Sequence, residues 1–195
     1  MSDWRHTRTE RLLLDLAVEA DIDDLHAIHA DPDSWRHFPS GRHLDRATTA
    51  AMVTAGERQL AAHGLGYWSA REASAGTGGP VVGRGGCAVP VDDEGVAMPW
   101  WNLYYRFAGA VQGRGYAREL GRHAIEAAHR VDPARPVMAY LLEHNTASRR
   151  TAEAIGLQLV WRGPDQGNPD PDAVRLVFLD REPDAVLRRV LDARS

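Results

Sequence analysis

The sequence predicts a mixed α/β fold built as one unit, and three observations carry that reading. Short apolar runs of strand character alternate with amphipathic stretches of helical period along the chain. The middle holds three strand-like runs separated by short turn-rich joints, the pattern of an antiparallel meander. Around Gly115 a strand leads through a long alanine-striped helix into another apolar run, a connection expected to be parallel and right-handed. With 195 residues the chain can bury a self-sufficient core, so residues 1–195 read as one domain, with 181–195 a helical extension.

Residues 9–16 (TERLLLDL) are short, apolar and flanked by charge, which suits a buried strand. Asp21 precedes Ile22, Leu25 and Ile28 at helical spacing, so it is expected to cap a helix running to about Ala30. Residues 31–41 hold two prolines and a glycine and read as a loop carrying Trp35, His37 and Phe38. A second helix fits 45–63 and ends at Gly64. Strands follow at 66–72, 81–90 and 96–107. From Gly115, Ala117, Leu120, Ala124, Ala127, Ala128 and Val131 recur every three or four residues, a helix stripe that Pro133 and Pro136 stop. Residues 136–142 form a buried strand, 145–155 a short helix ended by Gly156, and 157–163 another strand. A polar loop at 163–172 and a strand at 174–180 follow. The tail, 183–193, sets Val186, Leu187, Val190 and Leu191 on one helical face, which could pair two subunits into a homodimer or cap the core.

Composition narrows the function. Hydrophobic residues are 44% and charged residues 26%, which excludes a disordered or collagen-like chain. The formal charge of -4, without long runs of one sign, argues against a dedicated nucleic-acid or membrane-surface partner. The single cysteine, Cys87, can form neither an internal disulfide nor a thiolate zinc site. Together with the polar N-terminus, this reads as a cytoplasmic protein. Every basic residue among the 23 is arginine, so Schiff-base and Walker-type lysine chemistry are excluded. His26 and His29 share a helix face without a third ligand in view, so no metal site is assigned.

The informative stretch is 111–117, VQGRGYA, between a strand and a helix. Glycines at 113 and 115 allow a tight turn that points main-chain N–H groups at a ligand, and the helix N-terminus adds partial positive charge. The third glycine of the dinucleotide fingerprint is missing, since Arg118 stands there. Gln112-Gly113-Arg114-Gly115-Tyr116-Ala117 instead resembles the Q-x-x-G-x-G/A signature of the GNAT superfamily of acetyl-CoA-dependent N-acetyltransferases. About thirty residues on, Asn145-Thr146-Ala147-Ser148 and Glu153-Ala154-Ile155-Gly156-Leu157 resemble that family's N-x-x-S and E-K-x-G-F. The resemblance covers about residues 12–180, and 145–160 is most like the branch that acetylates protein N-termini, ribosomal proteins included.

The resemblance implies a GNAT-like fold, with an antiparallel N-terminal meander and a parallel strand pair at the acetyl-CoA site. It implies that main-chain groups of Tyr105, Arg106 and Phe107 hold the acetyl carbonyl and pantetheine arm, that Gln112, Gly113, Arg114, Gly115, Tyr116, Ala117 and Arg118 wrap the pyrophosphate, and that Asn145 bonds the pantetheine. Ser148 matches the N-x-x-S serine and is the candidate for protonating the departing sulfur. In a common branch a glutamate five residues before the asparagine is the base and a tyrosine seven after it the acid. Here those places hold Tyr140 and Ala152, and Asn102 aligns with the glutamate of the N-terminal-acetylating branch. Tyr140, Glu143 and His144 are therefore candidates only for ordering a water that takes the amine proton. The missing carboxylate leans toward an α-amino acceptor, whose pKa of about 8 lies below the lysine value of about 10.4. Transfer of acetyl to a primary amine, of a peptide N-terminus or a small molecule, is the leading expectation. An acyl-CoA-binding module with little turnover is the alternative.

Overall fold

The computed structural model describes residues 3–92, 94–166 and 168–192. Strand β1 (His6–Arg8) and strand β2 (Leu12–Leu16) open the chain as a hairpin. Helices α1 (Ile22–Ala30) and α2 (Arg46–His63) follow, then β3 (Tyr67–Glu72), β4 (Gly83–Ala88) and β5 (Trp101–Phe107). Helix α3 (Tyr116–Val131), β6 (Val137–Leu142), α4 (Thr146–Ala154), β7 (Gln158–Pro164), β8 (Val174–Leu179) and α5 (Ala185–Asp192) complete it. The strands form one eight-stranded sheet in the order β1-β2-β3-β4-β5-β6-β8-β7, antiparallel except for β5 and β6. This is the expected mixed α/β class with its meander and parallel pair.

Alternation along the strands decides which face each helix covers. On β4, Gly83, Gly85 and Cys87 face α3, and a Cβ on Gly85 would come within 2.7 Å of the Leu120 side chain. The glycines thus let α3 settle close onto the sheet, where Leu120, Ala124, Ala127 and Ala128 join Leu12, Leu14, Trp68, Trp101 and Phe178 in the main core. Helices α1 and α2 lie on the other face, where Ile22, Leu25, Ile28 and Val53 form a second cluster. A third cluster closes the far end, with Leu187 and Leu191 of α5 packed on Trp100, Met138, Val177 and Leu179. Trp100 and Trp101 therefore both pack in cores, on opposite faces.

Most boundaries lie where the sequence places them. Asp45 caps α2 by accepting from Thr48 N–H at 2.7 Å, and Gly64 ends it in the left-handed region at φ 75°. Asp21 is a correction. Its carboxylate turns back to accept from Val18 N–H and pairs with Arg71, so α1 begins after a 3-10 turn without a side-chain cap. The strand expected over 96–107 begins only at Trp101, because Ala97 bridges back to Val91 and the Asp92 carboxylate accepts from Glu94 N–H and Val96 N–H. Strand β1 carries no apolar signal and is absent from the sequence reading.

Candidate active site

The parallel pairing of β5 with β6 is short. It joins Trp101 to Val137 and Asn102 to Met138 and then stops, although both strands run on to Phe107 and Leu142. The strands splay apart beyond that point. Trp101 N–H donates toward β6, to Pro136 O at 2.8 Å, so strand alternation aims the main-chain groups of Leu103, Tyr105 and Phe107 into the split. The main chain of Arg106 faces β4 instead, opposite Arg84. Gln112 Nε2 closes the far end of the split by donating to Phe107 O at 3.1 Å.

Past the split the chain makes a 3-10 turn at Gly109–Val111 and enters α3 through Gly113 and Gly115, at φ 77° and 81°. Both are in the region that costs a residue with a Cβ about 1 kcal/mol or more, which is why glycine stands there. The first main-chain bond of α3 runs from Glu119 N–H to Gly115 O, so the N–H groups of Tyr116, Ala117 and Arg118 have no helical acceptor. A Cβ on Gly113 would meet nothing within 4 Å, so the turn is open on its outer side. The side chains around it brace it. Arg114 reaches Glu72 at 2.9 Å, Tyr116 Oη donates to Glu72 at 2.6 Å, and Arg11 donates to Arg114 O and Glu119. Arg114 is thus paired with Glu72, and Arg118 is exposed.

On the α3 side of the split, Tyr105 Oη lies 3.1 Å from both Ser148 O and Ser148 Oγ, tying β5 to α4. Burial raises the Tyr105 pKa above that of a free phenol. Asn145 caps α4, its Oδ1 accepting from Ser148 N–H at 3.1 Å, which leaves the side-chain NH2 to donate elsewhere. Ala152 is buried. Tyr140 stands on β6, more than half exposed, under the Arg175 guanidinium at 4.7 Å from the ring centroid. Glu143 follows directly on β6. It faces solvent in a paired contact with Arg162 at 2.7 and 2.9 Å, which lowers its pKa and makes it a poor proton acceptor.

On the face of the sheet covered by α1 and α2 lies a cavity of about 390 Å³ between α2 and the β3–β5 meander, with the Tyr104 side chain of β5 in its lining. Its floor holds Tyr67, Tyr104 and Arg84, and its walls include Met52, Val89 and Trp35. His29 is buried there. Its Nδ1–H donates to Leu25 O at 2.8 Å, fixing the neutral tautomer, and Nε2 then accepts from Tyr104 Oη at 3.2 Å. Burial drives its pKa from 6.5 to about 3. Thr49 Oγ1 bridges Nδ1 of His26 and His43, at 3.0 and 2.8 Å. Arg106 stacks on Trp35 at 3.4 Å and donates to Ser34 O and to Tyr104 Oη, so its side chain pins the 31–41 loop against the sheet. His37 of that loop meets His144, after β6, at 4.9 Å between ring centroids.

The acetyltransferase (GNAT) domain family model matches residues 11–158, three quarters of the chain. This chain belongs to the GNAT acetyltransferase family. A GNAT acetyltransferase from Bacillus anthracis superposes with a TM-score of 0.71 at 16% identity, covering 89% of this chain and 96% of that one. A Salmonella typhimurium protein assigned as an acetyltransferase, solved with its cofactor acetyl-CoA, gives 0.64 at 20% identity, over 89% of this chain and 98% of its own. A Vibrio cholerae protein assigned as a ribosomal-protein-serine acetyltransferase gives 0.64 at 16%, over 92% and 98%. At such identities the likeness speaks for the fold. A comparison with curated proteins finds no match. As a GNAT acetyltransferase the chain takes acetyl-CoA as co-substrate. Among the described residues no helix is long and apolar enough to cross a membrane and no cluster could hold a metal ion.

The structure brings the split, the glycine turn, Tyr105, Asn145 and Ser148 to one side of the sheet. It sets Glu143 and Arg114 in surface ion pairs. Sequence reasoning missed the side chains of Tyr105, Tyr104 and Arg84. Only strand alternation, with Tyr104 and Tyr105 adjacent, could have said that they serve opposite faces.

Proposed function

We propose that this GNAT enzyme transfers acetyl from acetyl-CoA directly to a primary amine within a ternary complex. The observation that carries the reading is the split between β5 and β6, where pairing stops and the edge of β5 is left free, with the glycine turn at its end and a cavity on the other face of the sheet beside Tyr104. Acetyl-CoA lies along the α3 side, its pyrophosphate on the N–H groups of residues 113–118 and its pantetheine on the NH2 of Asn145 and the free edge of β5. N–H groups of Leu103 and Tyr105 polarise the acetyl carbonyl, since they aim at the oxygen where charge develops. The amine arrives from the cavity side, attacks the carbonyl carbon and expels the thiolate. The Ser148–Tyr105 hydroxyl pair supplies the proton to sulfur, and burial, which raises the Tyr105 pKa, keeps the phenol protonated until then. Water beside Tyr140 takes the amine proton, which favours an acceptor as weakly basic as an α-amine, of a peptide or a small molecule.

The test is CoA release, measured with a thiol reagent, across N-terminal peptides and small amines. Transfer predicts release with some amines, and a loss of it in Asn145→Ala. Binding of acetyl-CoA without release by any amine would instead make the chain an acyl-CoA-binding module.

A further inference from the structure

Arg84 stands in the middle of β4 with 3% of its surface exposed, and its side chain forms part of the cavity floor. It has no ion pair among the described residues, and its Nη1 is buried without a hydrogen-bond partner. The Tyr67 ring lies 5.5 Å from its guanidinium carbon, and Tyr104, His29 and His43 share the cavity with it. The other arginines near this face are engaged. Arg106 is satisfied by Ser34 O, Tyr104 Oη and the face of Trp35, and Arg71 by Asp21. No aspartate or glutamate lines the cavity. A cation removed from water is costly to bury unless something pairs with it, and a guanidinium pairs best with a planar two-oxygen anion. A second orphan points the same way. Gln59 Oε1 is buried without a partner while its Nε2 is spent on Val89 O, so the wall of the same cavity offers an acceptor to a ligand donor. The lining also holds the side chains of His29, His43, Tyr67 and Tyr104 together with an apolar part that includes Met52 and Val89, and a volume of about 390 Å³ suits a ligand of amino-acid or dipeptide size.

We propose that the acceptor is a small amine bearing a carboxylate, an apolar amino-acid-like molecule whose carboxylate Arg84 binds while its amine is presented to the split. The proposal rests on the transferase reading above, in that it names the substrate class of the same site. It also separates this chain from a catalyst that works on exposed protein N-termini, because an internal α-carboxylate is absent from a peptide's first residue. No bond is made or broken at Arg84. The guanidinium is a specificity determinant that holds the acceptor.

Matched ligand pairs test it. With CoA present at saturation, N-acetyl-phenylalanine and N-acetyl-leucine are titrated calorimetrically against N-acetylphenethylamine and N-acetylisopentylamine, which lack only the carboxylate. The acids are expected to bind about 10–100-fold more tightly, the factor a charge-assisted pair provides. Arg84→Met should abolish that preference while raising Tm, because it removes an unpaired buried charge. Should Arg84→Met fail to fold, the wild-type pairs still decide. Equal affinity within each pair, or a preference that survives in Arg84→Met, overturns the proposal. A parallel CoA-release assay uses phenylalanine and leucine against phenethylamine and isopentylamine. If the acids bind preferentially and yet no amine releases CoA, the carboxylate site stands and the transferase reading falls. If only the decarboxylated amines release CoA, the transferase reading stands and the carboxylate site falls.

Discussion

At the residue scale the proposed transfer draws its proton from the two hydroxyls that meet between β5 and α4. Under that proposal Tyr105 Oη and Ser148 Oγ, 3.1 Å apart, stand in as a pair for the single tyrosine that is absent where Ala152 stands. Tyr105→Phe is expected to lower kcat by about 10²-fold, the lower range for a positioned proton donor, with the KM for acetyl-CoA little changed. Ser148→Ala should do less, and the double variant no worse than Tyr105→Phe, since groups that act as a unit are not additive. A CoA-release assay on the three variants checks this, and multiplying losses would show independent roles. Glu143→Gln serves as the contrast: tied to Arg162 at the surface, it should leave kcat within about twofold. His29 supplies the residue-scale pH prediction. Its folded pKa of about 3 lies below the unfolded value near 6.5, so the unfolded chain binds the extra proton. Stability is then full above about pH 6.5 and falls as the pH drops toward 3, by on the order of a few kcal/mol. Thermal unfolding between pH 7 and 4 should show this slope, and His29→Gln should flatten it. An unchanged slope in the variant would assign the effect to other groups.

At the element scale the glycines of β4 matter more than any apolar side chain on it. A methyl on Gly85 would sit 2.7 Å from Leu120 and 2.6 Å from Tyr104 O, one of them main chain and unable to yield. Gly85→Ala should therefore push α3 off the sheet. Overpacking of this kind costs about 1–3 kcal/mol, or roughly 3–10 °C of Tm in a chain of this size, and because α3 carries the glycine turn, the affinity for acetyl-CoA should fall with it. Calorimetric melting and titration of the variant read both, and a normal Tm with normal binding would mean that the helix has room to spare. The same strand explains what could be read beforehand. The stripe of α3 and the caps Asp45 and Asn145 are local patterns, legible from a few residues each. Strand β4 reads GRGGCA, with scant β propensity, and its role shows only once α3 is laid across it. The split is harder still to read, because it is a place where pairing stops between strands separated by a helix, and each strand alone looks continuous. For the same reason nothing singles out Arg84 within the strand expected over 81–90, and Asp21 reads as an ordinary cap until Arg71 reaches it from β3.

At the scale of the whole molecule the proposed function uses the sheet as a partition whose pairing is interrupted where β5 and β6 part. Odd-numbered side chains of β5 face α3 and α4, even-numbered ones face α1 and α2, and the main chain between them borders the split from both sides. A nucleotide thioester on one face and an amine on the other can therefore be bound together, and neither must leave for the other to enter. The protein also lacks a cysteine placed for a covalent detour. Its one cysteine, Cys87, is fully buried in the main core, where desolvation raises the thiol pKa well above its ordinary value, so the thiolate an acyl-enzyme would need is not formed. Initial rates measured against both substrates should give intersecting double-reciprocal lines, as a ternary complex requires, and Cys87→Ala should retain kcat within about twofold at the cost of a small core void. Acetyl-CoA alone should neither release CoA in a burst nor label the protein. Parallel lines, or acetyl retained on the chain after gel filtration, would show that the two faces act in turn and not at once.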